Sequence, residues 1–152
     1  ADAVLHDGPT VLVLSRQNIT VTTDGEAVCT GAGIVGSTET EPQVVLVGSG
    51  SEVSLCGAAA ANLAEQGIAA QVVSMPSWDR FDEQSDDFKS SIFPAGVPVL
   101  SVEAGVTFGW AKYADASVGI DRFGASAPGN IVLDKLGINV DNVVAHATAL
   151  IK

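Results

Sequence analysis

The sequence predicts an α/β fold in which a mostly parallel sheet is covered by helices on both faces. Short, nearly continuous apolar runs that end at Gly, Pro or Ser are typical of buried strands. Amphipathic helical patterns lie between several of these runs, and a strand, helix, strand order implies right-handed crossovers between parallel strands. The length of 152 residues is that of roughly one ordinary domain.

Five apolar runs predict five strands. They are residues 10–15, 43–49, 68–75, 97–103 and 116–120. Four of the five follow Pro42. We therefore expect a compact domain over residues 41–152.

Four segments carry helical patterns: residues 51–66, 82–93, 128–136 and 140–151. In the first and the last of them, apolar residues recur at spacings of three and four, which places them on one helix face. Gly67 is placed to end the first helix, and Asn139 is placed to cap the last.

The first forty residues differ from the rest. Residues 18–40 are rich in Thr and Gly, carry a turn signal at Asp24-Gly25 and show no helical period. We expect a linker or arm that carries a small hairpin.

The composition argues against several classes of partner. The net charge of −11 and the pI near 4.2 repel nucleic acid and anionic membrane surfaces. No run approaches the roughly 18 apolar residues that span a bilayer, and the N-terminus has no signal-peptide pattern. Cys29 and Cys56 lie too far apart in sequence for a local metal clip, so we expect a reducing, intracellular setting.

The turn "GSGSEV", residues 48–53, joins a predicted strand to a predicted helix. Val53 stands where the dinucleotide fingerprint has its third glycine, and the Walker lysine is missing. Free N–H groups at the helix start could bind an anion. The interpretation that we favour is a plain helix start, in which Ser49 or Ser51 caps the helix and Glu52 stabilises its first turn.

Glu103 ends a predicted strand at the carboxyl edge of the sheet, where α/β proteins usually place ligands. A carboxylate there needs a partner, such as Arg122 or backbone donors of the next helix. A structural or interface role is favoured. Arg16 follows the first predicted strand, and its guanidinium fork fits phosphate, although a surface ion pair is the simpler interpretation.

The remaining polar candidates favour structural interpretations. His6 and His146 have no nucleophile or carboxylate pair in a pattern that would make them catalytic. The acidic run over residues 78–88 carries five carboxylates around Phe81 and Phe88. We expect a solvated helix with both phenylalanines turned inward.

Six blocks in order resemble the C-terminal part of transketolase: "LVLSRQNI", "VVLVGSGSEVSL", "AAQVVSMPSWDRFDEQ", "VPVLSVEAGVTFGWAKY", "GIDRFGASAP" and "LGINVDNVVAHA". The resemblance implies that residues 1–40 are the end of a pyrimidine-binding domain with a linker arm. Residues 41–152 would be the C-terminal domain, which in this family is a three-layer sandwich around a five-stranded, mixed and mostly parallel sheet.

The resemblance also implies an activity. Transketolases are homodimers that use thiamine diphosphate and a divalent metal, Mg²⁺ or Ca²⁺, to move a two-carbon ketol unit between sugar phosphates. The domains that hold the cofactor and the metal precede this one, so no catalytic, cofactor-binding or metal-binding residue is expected here. The isolated chain should be inactive. Arg16 resembles the family's arginine that contacts the substrate phosphate, and the cytoplasm or a plastid is the expected location.

Two alternatives stay open at this point. The chain could be a stand-alone small-molecule-binding or regulatory module that uses the carboxyl edge around residues 48–51, 74–76 and 103–108. It could also be the matching domain of a related thiamine enzyme, such as a dihydroxyacetone synthase.

Overall fold

The computed structural model describes residues 2–14, 17–38 and 40–152. Its centre is a five-stranded sheet in the order β1-β3-β2-β4-β5, formed by β1 (Gly33–Gly36), β2 (Val44–Gly48), β3 (Ala70–Ser74), β4 (Val99–Val102) and β5 (Ala116–Val118). The neighbours among β2 to β5 pair in parallel, and β1 pairs antiparallel with β3 at one edge. The predicted mixed, mostly parallel sheet is confirmed.

The helices lie between and around these strands. Their bounds are α1 (Asp2–Leu5), α2 (Glu26–Thr30), α3 (Glu52–Glu65), α4 (Trp78–Asp82), α5 (Asp86–Ile92), α6 (Gly129–Lys135) and α7 (Val140–Ile151), and a 3₁₀ helix spans Phe108–Lys112. The predicted helices over 51–66, 128–136 and 140–151 are confirmed. Gly67 follows α3 with φ of +77°, and the Asn139 side chain accepts a hydrogen bond of 2.9 Å from the Asn142 N–H. None of the helices in the described ranges is long and apolar enough to cross a bilayer.

The strands bury side chains on both faces of the sheet. Val44 and Leu46 belong to a core that includes residues of α3 and α7, whereas Val45 and Val47 belong to a second core that includes residues of α4 and α5. All four residues have 0% exposure. Because side chains alternate along a strand, a continuous apolar run serves both layers, and the result is a three-layer sandwich.

The prediction of a strand over residues 10–15 is wrong. Residues 10–14 form no strand and are exposed, and Ser15 lies outside the described residues. The fifth strand is β1, which comes later in the chain and pairs with β3. An apolar run becomes a strand only where a neighbouring strand accepts and donates its backbone hydrogen bonds.

The hairpin predicted between residues 18 and 40 is also wrong. The Asp24-Gly25 turn exists, with Gly25 at φ of +92°, but it begins α2 instead of reversing a strand. The Asp24 carboxylate accepts a 3.0 Å hydrogen bond from the Glu26 N–H. Although α2 and β1 fall within the predicted arm, they contact α4 and β3, and the domain boundary after residue 40 stays a prediction.

The helix predicted over 82–93 is confirmed only as α5, over Asp86–Ile92, and a separate helix, α4, ends at Asp82. The break falls before α5, where the Ser85 hydroxyl caps the new helix by accepting a 3.3 Å hydrogen bond from the Phe88 N–H. Serine competes for backbone hydrogen bonds, so it favours a new helix start over continuation. Phe81 is buried and Phe88 is partly buried, as the sequence predicted.

Candidate functional site

The carboxyl ends of β2, β3 and β4 meet at one edge of the sheet, which is the place that the sequence predicted for a ligand. The turn from β2 to α3 lies at this edge, beside the segment that follows β3, where the Met75 N–H donates to the Gly48 carbonyl at 2.9 Å. Glu103 directly follows β4. We call this group of loops, residues 48–52, 74–76 and 103–108, the carboxyl edge.

Two glycines of the β2–α3 turn have structural explanations. A Cβ on Gly48 would lie 3.0 Å from the Val102 carbonyl oxygen and 3.4 Å from the Cys56 sulfur. Gly50 has φ of +51°, a conformation that glycine adopts at low cost. The glycines therefore allow a close approach of α3 to the sheet and a tight turn, and neither requires a ligand.

The serine hydroxyls of the turn bond to carboxylates. Ser49 Oγ donates to Glu103 Oε2 at 2.8 Å, and Ser51 Oγ donates to Glu52 Oε1 at 2.8 Å. Neither serine side chain caps the helix, so the expected side-chain cap is wrong, although Ser51 does occupy the N-cap position. A carboxylate is a stronger acceptor of a hydroxyl proton than a neutral group, which explains the choice.

The electrostatics of the carboxyl edge are acidic. Burial raises the pKa of the Glu103 carboxyl, and the nearby Glu52 carboxylate adds to this, while the bond from Ser49 partly opposes the rise. Burial, aided by Glu52 and Glu103, also raises the pKa of the Cys56 thiol to about 12. Two carboxylates beside the start of α3 disfavour a phosphate there. The geometry favours the helix-start interpretation over anion binding.

The expected partner of Glu103 was Arg122 or backbone donors, and this is wrong. Its described hydrogen-bond partner is Ser49, and the Arg122 side chain is exposed on the loop after β5. Sequence reasoning missed Ser49 because a serine 54 positions away gives no local signal. The parallel register of β2 and β4, which brings Gly48 opposite Val102, explains why the two meet.

The other predicted site residues do not come together. His6 is exposed in the arm, and His146 is exposed on α7, where its Nδ1 lies 2.9 Å from the Asn142 carbonyl oxygen. Across the described part of the chain, no group of three or more His, Cys, Asp or Glu side chains could hold a metal ion. Arg16 lies outside the described residues.

An aromatic cluster in the second core is a feature that sequence reasoning missed. Trp78 meets Trp110 edge to face at 5.0 Å between ring centroids, and Tyr113 at 5.4 Å. Asp82 accepts hydrogen bonds from Lys112 and, at 3.0 Å, from the Tyr113 hydroxyl. The Lys112 bond holds the pKa of the Asp82 carboxyl below its usual range. One carboxylate of the acidic run therefore ties α4 to the 3₁₀ helix.

A shallow depression lies between the arm and the carboxyl edge. Arm residues 19–23 line one side of it, and Gly50, Val53, Ser74 and Pro76 line the other. Val21 is nevertheless 89% exposed. Residues 19–23 thus run beside the carboxyl edge while Ile19 and Val21 stay exposed.

Comparison with known proteins gives one consistent family. The Transketolase-like TK C-terminal domain profile matches residues 31–139. The chain is 46% identical to a transketolase of Bacillus subtilis, over 95% of this chain and 23% of that protein. It is 42% identical to a chloroplastic transketolase of Zea mays, over 91% of this chain and 22% of that protein.

The solved structures agree with the sequence comparisons. The fold is similar to a transketolase from Leishmania mexicana, with a TM-score of 0.85 and 45% identity, over 90% of this chain and 20% of that chain. The chain therefore spans less than a quarter of the length of these relatives.

Proposed function

Because the chain belongs to the transketolase-like C-terminal domain family, we propose that it acts as the C-terminal part of a full-length transketolase. The full-length enzyme would transfer a two-carbon ketol unit between sugar phosphates. The observation that carries the proposal is coverage, since 95% of this chain matches only 23% of a transketolase at 46% identity. The complete activity would then need the other three quarters of the polypeptide.

Thiamine diphosphate, together with Mg²⁺ or Ca²⁺, would supply the carbanion chemistry of such an enzyme. The carboxyl edge of this chain does not fit that pair of ligands. Glu52 and Glu103 make the start of α3 acidic, and no metal-binding group of side chains occurs in the described ranges. We propose that the remainder of the polypeptide holds the cofactor, and that this domain contributes structure and supports the homodimer.

The arm supports the proposal of a longer polypeptide. Val11, Leu12, Val13 and Leu14 are between 68% and 92% exposed. A run of four exposed large apolar side chains is unusual for a protein surface, and it fits the edge of a domain whose remainder covers it. We propose that residues 1–40 complete the preceding pyrimidine-binding domain and link it to residues 41–152.

We propose that Arg16 binds the phosphate of the sugar substrate in the full-length enzyme. The planar guanidinium donates two parallel hydrogen bonds to phosphate oxygens, which lysine cannot do.

The proposed cellular location is the cytoplasm or a plastid, as for the bacterial and chloroplastic relatives.

The first test compares the full-length protein with the isolated chain. Immunodetection with an antibody against this chain should reveal a native polypeptide about four times longer, because the chain is 23% of a related transketolase. Ketol transfer with added thiamine diphosphate and Mg²⁺ should require the full-length protein. A native polypeptide of 152 residues, or activity of the isolated chain, would contradict the proposal.

The role of Arg16 is tested by Arg16→Gln in the full-length enzyme. Loss of a charged pair of hydrogen bonds costs about 1.5–3 kcal/mol, so KM for a phosphorylated sugar should rise roughly 10- to 100-fold. KM for a non-phosphorylated acceptor should stay unchanged. The KM of Arg16→Lys for the phosphorylated sugar should lie between those of the parent and Arg16→Gln, because lysine keeps the charge and loses the bidentate geometry. Lys135→Gln, on α6, is the control and should leave both KM values unchanged. If Arg16→Gln raised KM equally for the phosphorylated and the non-phosphorylated sugar, the phosphate role would be refuted.

A further inference from the structure

Two phenylalanines are exposed to solvent in the segments that follow β4 and β5. Phe108 is 88% exposed and Phe123 is 96% exposed, and the neighbouring Val106 is 63% exposed. Trp110, only two residues beyond Phe108, is 2% exposed. The same short segment therefore turns one aromatic ring into the core and leaves another in water.

These loops are held in place by specific contacts. The Thr107 N–H and hydroxyl both donate to the Asp121 carboxylate at 2.8 Å, and the Ile120 N–H donates to the Gly105 carbonyl at 2.7 Å. A Cβ on Gly119 would lie 2.5 Å from Thr107 Cγ2, so the loops also touch closely. The backbone next to the exposed phenylalanines is therefore tied together, and a binding surface on ordered loops avoids part of the ordering cost.

Side chains from both loops line one surface. Val106, Ile120 and Phe123 line one shallow depression together with Asp121 and Arg122. We call these residues, with Phe108, the Phe123 face. Grouped apolar side chains with a polar rim are typical of protein contact sites, whereas single exposed apolar residues are not.

We infer that the Phe123 face packs against the preceding part of the same full-length polypeptide, an inference that rests on the proposed function. The two phenylalanines offer about 300–500 Å² of aromatic surface in all. A stable complex between separate proteins usually buries about 800 Å² on each partner. A face of this size is sufficient only when the two surfaces are already tethered.

A second copy of the chain is a poorer occupant. Each copy carries a net charge of −11, so two copies repel each other in the absence of a large interface. Covalent linkage supplies an effective concentration on the order of millimolar, which lets a small apolar face dock within one polypeptide.

The inference is tested by photo-crosslinking in the full-length protein. Phe123 is replaced by p-benzoyl-phenylalanine, and unlabelled and ¹⁵N-labelled subunits are mixed, refolded together and irradiated. Crosslinks should join position 123 to peptides that precede Ala1, and both peptides should carry the same isotope. The same probe at Ala61, on the exposed side of α3, is the control and should give no crosslink to those peptides.

Two results of this experiment would overturn the inference. Crosslinks that join an unlabelled peptide to a ¹⁵N-labelled one would assign the face to a second copy. A crosslink yield at position 123 that is no higher than at position 61 would mean that the preceding polypeptide does not pack against the Phe123 face. Full ketol-transfer activity in the same preparation separates failure of the inference from failure of the proposed function. A native polypeptide no longer than this chain would overturn both.

A double substitution gives an independent measurement. Phe108→Ser combined with Phe123→Ser should leave the thermal unfolding of the isolated chain unchanged, because both rings are exposed there. In the full-length protein the same change should speed proteolytic cleavage between the domains at least tenfold. Equal cleavage rates in the parent and the double variant would contradict the inference. Ala61→Ser, on the exposed side of α3, is the control and should leave the cleavage rate unchanged.

Discussion

Two segments with nearly the same sequence differ in burial and in secondary structure in this molecule. Residues 11–14 read "VLVL" and residues 44–47 read "VVLV". The first segment is 68–92% exposed and forms no strand, whereas the second is fully buried as the main part of β2. Composition and local propensity cannot account for this difference, because the two are almost the same in both segments.

The difference lies in what surrounds each segment. β2 pairs with β3 on one side and β4 on the other, and helices cover both of its faces. The described structure offers residues 11–14 no neighbouring strand and no covering layer. A buried-strand pattern predicts that a segment will be buried somewhere, and here that place is proposed to be the remainder of a longer polypeptide.

The largest expected loss of stability comes from a substitution at the junction between the arm and the domain. Gly31, at the end of α2, has φ of +87°, and a Cβ there would lie 2.2 Å from the Phe81 nitrogen and 2.4 Å from the Ser77 oxygen. Gly31→Ala combines backbone strain with a clash against backbone, so we expect a loss of about 4 kcal/mol in the free energy of unfolding. Urea unfolding of the isolated chain measures it.

The matched control for Gly31 is Gly67. Its φ of +77° is similar, but a Cβ there would meet nothing within 4 Å. Gly67→Ala should therefore cost only the backbone strain, about 1 kcal/mol. Equal losses at the two positions would mean that α2 does not pack against α4 in solution, and the ordered fold would then begin after the arm.

The second largest expected loss of stability tests the comparison between β2 and residues 11–14 directly. Leu46→Ala removes a fully buried side chain from β2 and should lower the free energy of unfolding by about 3 kcal/mol. Leu12→Ala removes the same atoms from a residue that is 68% exposed, and should change the isolated chain by less than about 0.5 kcal/mol.

The same pair in the full-length protein sharpens the comparison. If the preceding domain buries residues 11–14, Leu12→Ala should become destabilising by about 2 kcal/mol or more there, while Leu46→Ala keeps its effect. Unfolding followed by a probe in the preceding domain measures this. A harmless Leu12→Ala in the full-length protein would show that the arm is an exposed linker instead.

The sequence predicted the parts of the fold that local periodicity determines. The long helices α3 and α7, the Asn139 cap, the Gly67 stop and four of the strands follow from apolar spacing and termination signals. The strand β1 was missed because "GIVG" is only four residues long and lies among glycines and threonines. Its pairing with β3 is decided by the free edge of the sheet, which no local pattern reveals.

The site was predictable in its location and not in its contacts. The carboxyl edge followed from the parallel strand order, but the Ser49–Glu103 bond depends on the register of β2 against β4. The Asp82 bonds to Lys112 and Tyr113 and the Thr107–Asp121 contact likewise join residues that are 14 to 31 positions apart. Periodicity identifies which residues are buried, whereas the partner of a polar side chain is set by the tertiary structure.

The smallest expected change in stability comes from the charge of Glu103, whose side chain is partly buried. The pKa of Glu103 in the folded state lies above its ordinary value of 4.5, because burial and the Glu52 carboxylate disfavour the charged form. The ionised carboxylate therefore destabilises the fold above the folded-state pKa. This cost is relieved as the pH falls toward 4.5, since the folded protein takes up the proton first.

Glu103→Gln removes that charge and keeps an oxygen that can accept the Ser49 hydroxyl. We expect it to stabilise the isolated chain at pH 7 by less than about 1 kcal/mol, because partial exposure screens the charge. The gain should shrink between pH 7 and pH 4.5 in urea unfolding curves. Glu65→Gln, at the exposed end of α3, is the control for removing a carboxylate from the surface. A loss of stability at pH 7 would mean that the hydrogen bond from Ser49 to the carboxylate outweighs the cost of burying its charge.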